Sequence, residues 1–179
     1  PPVRAVHQPM APTGSYHPLT LASLFFLFSI LGWILETLSY LTMEGVFLNR
    51  SILLGPWIPL YGICGVLSVT MLHRFAKNPI LAFCMNGLLY SVIGYLSDFT
   101  VQMIWHADLH KISQYFCPSL LPPFFADTVF LGLIGCACQY FIAPKWKQIT
   151  RKIPLWFLLC VCVLLGMLML LDVFFAFYR

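Results

Sequence analysis

The chain has 179 residues, of which 60% are hydrophobic and only 9% charged, and its mean hydropathy is +0.87. Soluble domains carry about a quarter of their residues as charges, so this composition excludes a soluble fold and marks an integral membrane protein. Ten basic and six acidic residues leave a formal charge of +4, too few and too scattered for a nucleic-acid surface.

A helix needs about 20 apolar residues to cross roughly 30 Å of hydrocarbon. Five such windows fit without overlap, so the expected fold is all-α, a polytopic bundle of about five transmembrane helices over 20–43, 57–72, 79–105, 123–142 and 154–177. Residues 1–19 read as a flexible cytoplasmic tail, because Pro1, Pro2, Pro9, Pro12, Gly14 and Pro18 interrupt any regular element. Nothing in 1–17 has the positive, apolar, small-residue order of a signal peptide.

In the first span Ser29, Trp33, Glu36 and Tyr40 recur at spacings of three and four, a polar stripe that faces protein rather than lipid. The second span has a broken start, with a re-entrant turn expected near Ser51–Leu54 that ends at Gly55 and Pro56. Asn86, Tyr90, Gly94, Asp98 and Gln102 form a ridge of polar or small residues along the third span. In the fourth, Gly132, Gly135, Cys136 and Gln139 give a close-packing face, and Lys145, Lys147, Arg151 and Lys152 follow it as a loop. The fifth is apolar on every side except at Asp172, so it is expected to touch lipid over much of its circumference.

Five spans put Arg4, Arg74, Lys77, Lys145, Lys147, Arg151 and Lys152 on one side, seven of the ten basic residues. The positive-inside rule then places the N-terminus in the cytoplasm and the C-terminus outside, in a cell membrane. All six acids, Glu36, Glu44, Asp98, Asp108, Asp127 and Asp172, fall toward the outer side.

An ionised side chain at the centre of a span costs roughly 2.5 to 3.5 kcal/mol on insertion scales, so Glu36 and Asp98 mark a candidate site. Arg50 and Asn49 reach in from the connecting loop, and backbone groups freed near Gly55 and Pro59 add hydrogen-bonding capacity. The plainer reading is that Arg50 pairs with Glu36 or Asp98 to fix helix register, and that Asp127 and Asp172 lie near enough to the surface to be solvated.

His106, Asp108 and His110 have the one metal-like spacing, but a plain interfacial polar loop is the simpler reading and no fourth ligand is fixed. Of seven cysteines, six lie in predicted spans and read as small apolar packing groups. There is no Gly-rich phosphate loop and no recognisable nucleophile constellation, so neither a cofactor nor ATP hydrolysis is expected on this chain.

The pattern Gly32-Trp33-x-x-Glu36, then Asn49-Arg50-x-x-Leu53-x-Gly55-Pro56-x-x-Pro59-x-Tyr61-Gly62, resembles the type IV ABC-transporter family of bacterial membrane proteins. Two departures stand out. Ser51 replaces the family's usual glycine, and the family's aromatic-Asp-Tyr-Ser segment is met only by Leu109–Ser113, without the acid. The resemblance implies about five spans and a transport role, and it carries Tyr61 into the candidate set with Glu36, Asn49, Arg50 and Asp98.

A small membrane subunit of a transport system, with a polar site open to the outer face, is the expected function. Few spans and no internal repeat then call for a separate ATPase subunit or a homo-oligomer as partner, besides membrane lipids. An integral-membrane enzyme acting on a lipid-linked substrate, with Glu36 or Asp98 as base, is the alternative, and a structural or regulatory membrane partner is the third.

Overall fold

The computed structural model describes residues 16–45, 47, 53–105 and 123–178. Helix α1 (Pro18–Glu44) starts where His17 Nδ1 accepts the Leu19 N–H at 3.3 Å and Pro18 takes the first helical position. It ends at Gly45, whose φ of 68° is the left-handed conformation that glycine adopts at least cost, and whose N–H returns to the Leu41 carbonyl at 3.0 Å. Helix α2 (Pro59–Met71) also opens on proline and runs into a 3-10 segment, Leu72–Lys77. Helix α3 is Pro79–Trp105, α4 is Pro123–Ala137, and α6 is Leu155–Tyr178.

Between α4 and α6 the chain stays helical beyond the expected limit of the fourth span. A wide π turn at Cys138–Ile142 leads into α5 (Ala143–Thr150), so Lys145 and Lys147 stand on a helix rather than in a loop. Its cause is the apolar and aromatic spacing continuing through Trp146, whose indole N–H donates to Ser23 Oγ of α1 at 2.9 Å.

Among the described residues four helical stretches are long and apolar enough to cross a membrane: Pro18–Ser39, Pro79–Ser97, Thr128–Thr150 and Leu155–Ala176. The 13 residues of α2 rise about 20 Å, short of a full crossing by themselves. Among the described residues all regular structure is helical.

Lipid offers helices no hydrophobic reason to associate, so close packing and interhelical hydrogen bonds must do it. Helix α1 lies along α2, where a Cβ at Gly62 would meet Ser29 Oγ and the Phe25 carbonyl, and one at Gly65 would meet the Phe28 ring. Helix α3 lies along α4 in the same way, with Gly132 against Phe83 and Gly135 against Asn86. The close-packing face expected in the fourth span is thus present.

Ser68 of α2, Asn86 of α3 and Gln139 of the π turn lock the bundle's interior. Ser68 Oγ donates to Asn86 Oδ1 at 2.5 Å, Asn86 Nδ2 donates to Gln139 Oε1 at 3.0 Å, and Gln139 Nε2 donates to the Leu72 carbonyl at 3.1 Å. Tyr140 Oη reaches the Ala76 carbonyl at 2.7 Å. A regular α-helix turns about 100° per residue; the wider turn at Cys138–Ile142 lets Gln139 and Tyr140 both reach the 3-10 segment.

These bonds gather one end of the bundle: the start of α1, the 3-10 segment with Arg74 and Lys77, and α5 with Lys145 and Lys147, whose ammonium stands 4.5 Å from the centre of the Tyr16 ring. Half-burial there raises the Tyr16 phenol above its ordinary pKa. At the opposite end lie the last turns of α1 and α6, carrying Glu36, Glu44 and Asp172. Helix α6 packs on α1 through Leu158, Cys162 and Phe26, and leaves most of its surface outward, as its composition predicts.

Candidate functional site

The acid-rich end is organised by the non-helical turn that precedes α2. Its backbone N–H groups have no helix to donate to, and a buried N–H left unpaired is expensive. Asp172 of α6 supplies the acceptors: Leu54 N–H to Oδ1 at 2.9 Å, Gly55 N–H to Oδ2 at 2.7 Å, and the Trp57 indole N–H to Oδ2 at 2.9 Å. The residue is only 8% exposed. Solvation therefore does not account for Asp172, contrary to the expectation from its place near a helix end; the turn folds over it and replaces water.

Gly55 is required where it stands, because a Cβ there would run into the Trp57 ring. A little further along, the Ile58 N–H donates to the Ser29 carbonyl at 3.0 Å, which ties the turn to α1. Tyr61, half-buried in the first turn of α2, lays its ring directly over Gly32 of α1 and stands 6.5 Å from the Tyr90 ring of α3. Residues 32, 55, 57, 61 and 62, spread over thirty positions of sequence, thus converge on one junction.

Glu36 is half-buried on α1, one helical turn above Gly32 on the same face. Tyr61 is therefore brought to the Glu36 side of α1. Asp98 lies in the second half of α3, and its side chain, like Asn49 and Arg50, is outside the described residues. His106, Asp108 and His110 are outside them too; among the described residues no group of three acidic, His or Cys side chains is placed to hold a metal ion.

Two features were not singled out from the sequence. Thr37, beside Glu36, is 5% exposed, and its hydroxyl has no hydrogen-bond partner among the described residues. By contrast, Ser29, Ser39, Thr70 and Thr100 all bond carbonyls of their own helices at 2.7–2.8 Å. The second is a cavity of about 420 Å³ between α1 and α4, bounded by Phe28, Gly32, Tyr61, Tyr90, Leu133 and Ile142 among others. Its lining is almost wholly apolar, so no periodicity of polar residues announces it.

The inward ridge expected on α3 holds at Asn86 and Tyr90, which are 0% and 3% exposed. At Gly94 the ridge meets open space, since a Cβ there would meet nothing within 4 Å. The six described cysteines are free thiols; Cys64, Cys138 and Cys162 are buried, whereas Cys84 and Cys160 face outward.

Fold and junction together define a multi-pass helical membrane protein with a polar turn at one end of the bundle. Residues 23–177 match the family described as "Putative ABC-transporter type IV". The chain belongs to that family, and it is thereby a membrane protein related to transport. No curated protein and no solved structure matches it.

Proposed function

We propose that the chain is a small membrane subunit of a transport system, with a polar or amphiphilic substrate taken at the acid-rich end. In this reading Glu36, Asn49, Arg50, Tyr61 and Asp98 line the site. The observation that supports it most is the convergence of Gly32, Gly55 and Tyr61 on the Asp172-held turn, one helical turn below Glu36. A chain that fixes a non-helical segment with a buried carboxylate has given up helix there, and a broken helix entry of that kind is what a polar site in a membrane bundle uses.

The acid-rich end faces outward on this reading and the basic end faces the cytoplasm of a bacterial cell, in keeping with the positive-inside rule. ATP hydrolysis belongs to a separate subunit that docks at the basic end, and membrane lipids surround α6.

Mild-detergent purification followed by reconstitution tests the proposal. The expected result is an ATP-hydrolysing partner that co-purifies, and ATP-dependent movement of a headgroup-labelled phospholipid across the vesicle wall that falls about tenfold in Glu36→Gln or Arg50→Ala, the loss of one charge-assisted contact. A chain that recruits no ATPase and moves no phospholipid, or variants with unchanged rates, would sink it.

A further inference from the structure

At the basic end two apolar spans, Thr128–Thr150 and Leu155–Ala176, are joined by only the four residues 151–154. Backbone hydrogen bonds pin this link as it turns. Arg151 N–H donates to the Lys147 carbonyl at 3.3 Å, Lys152 N–H to that of Ile149 at 3.0 Å, and Ile153 N–H to that of Thr150 at 3.3 Å. Four residues reach about 14 Å when fully extended, and far less when held in a turn. Arg151 and Lys152 therefore stay at the level where the two apolar spans stop, which is the level of lipid headgroups.

Lys145, Ile149 and Lys152 follow at spacings of four and three, so they share one face of α5 and of the turn that extends it. All three are exposed, as is Arg151. Just beyond them Leu155 and Trp156 are 59% and 67% exposed. Lys147 differs, its ammonium standing over the Tyr16 ring. The chain has no Asp or Glu over 1–35, 45–97 or 128–171, so among the described residues no carboxylate lies at this end; Glu36 and Asp172 stand at the other.

This mixture of groups selects among occupants. An acidic protein surface in water would meet the cations and gain nothing from Ile149, Leu155 and Trp156. A lipid without net charge would cover those side chains and leave three positive charges unbalanced. A phospholipid with net negative charge does both: its phosphate meets the cations, its acyl chains cover the apolar groups, and the Trp156 indole sits at the headgroup level that suits an amphipathic ring.

We propose that this corner binds the headgroup of an anionic phospholipid in the adjoining leaflet, with Lys145, Arg151 and Lys152 around its phosphate. The corner lies at the end of the bundle away from Glu36, so the proposal stands or falls independently of the transport reading. It leaves Arg74 and Lys77 of the 3-10 segment to the ATPase subunit.

Native mass spectrometry on the full chain, released from nanodiscs of equal phosphatidylethanolamine and phosphatidylglycerol, reads the ratio of the two lipids it retains. Wild type should favour phosphatidylglycerol by at least about fivefold, roughly the factor that one cation near a membrane surface contributes. Lys152→Gln should lower that ratio about fivefold. Arg179→Gln, the same loss of charge just past α6 at the opposite end, should leave it unchanged. The triple variant Lys145→Gln/Arg151→Gln/Lys152→Gln should retain the two lipids equally, and because these side chains are exposed it should keep the wild-type helical content by circular dichroism.

Equal retention of the two lipids by the wild type overturns the proposal. So does an equal fall in Lys152→Gln and Arg179→Gln, which makes the preference one of net charge alone. A lipid ratio unchanged in the triple variant, with loss of an acidic protein that co-purifies with the wild type, overturns it too and assigns the corner to that partner.

Discussion

Removing the Asp172 carboxyl strips acceptors from three donors at once, Leu54 N–H, Gly55 N–H and the Trp57 indole. A buried donor left without a partner costs roughly 1–3 kcal/mol, and hydrogen bonds to a charged group lie at the upper end of that range. Three such losses would sum to more than about 5 kcal/mol, but the turn lies near the bundle's end, where water can enter once the side chain is gone. A net loss of about 2–4 kcal/mol is therefore expected for Asp172→Ala. For a chain of this size that lowers the melting temperature by roughly 5–12 °C. Asp172→Asn keeps one acceptor oxygen and turns an amide N–H₂ toward the donors, so it should recover less than half of the loss. Thermal unfolding in detergent reads the shift, and Trp57 fluorescence reads whether the turn has opened. A melting temperature within about 1–2 °C of wild type, less than about 1 kcal/mol, with unaltered Trp57 emission would refute the reasoning.

Substituting glycines separates close packing from open space. Gly62→Ala forces a methyl into Ser29 Oγ and the Phe25 carbonyl and should destabilise by about 1–3 kcal/mol, measured by thermal unfolding. Gly94→Ala meets nothing and gains helix propensity, so it should stabilise by about 0.5–1 kcal/mol in the same assay. Asn86→Ala leaves the Ser68 hydroxyl and the Gln139 amide oxygen without their shared partner, and about 1–2 kcal/mol should be lost. In detergent, a maleimide should modify Cys84 and Cys160 well before Cys64 or Cys138, as followed by intact mass.

What the sequence made legible was whatever follows from composition and spacing. Glycines at Gly132 and Gly135 announced a close helix contact because only small residues let backbones approach, and the Gly55-Pro56 step announced a broken start because proline cannot continue a helix through it. Asp172 was visible as a lone acid on an apolar helix, but two of its three partners are backbone N–H groups more than a hundred residues away, and backbone groups leave no mark in sequence. The π turn at Cys138–Ile142 is invisible for a related reason: one extra residue per turn shifts the apolar face without changing which residues are apolar. The cavity is least legible of all, being an absence of atoms between faces that read as ordinary core.

If the acid-rich junction, with Tyr61 on Gly32 and Glu36 above it, binds an anionic or polar group in the membrane, that group can be seen. Electron cryo-microscopy of the chain extracted with its surrounding lipids is the experiment that looks for it. Non-protein density beside Glu36, Tyr61, Arg50 and Asp98 is the predicted result. A closed junction in which Glu36 pairs with Arg50, and nothing but protein fills the space, would contradict this reading and leave these residues as register-fixing structure.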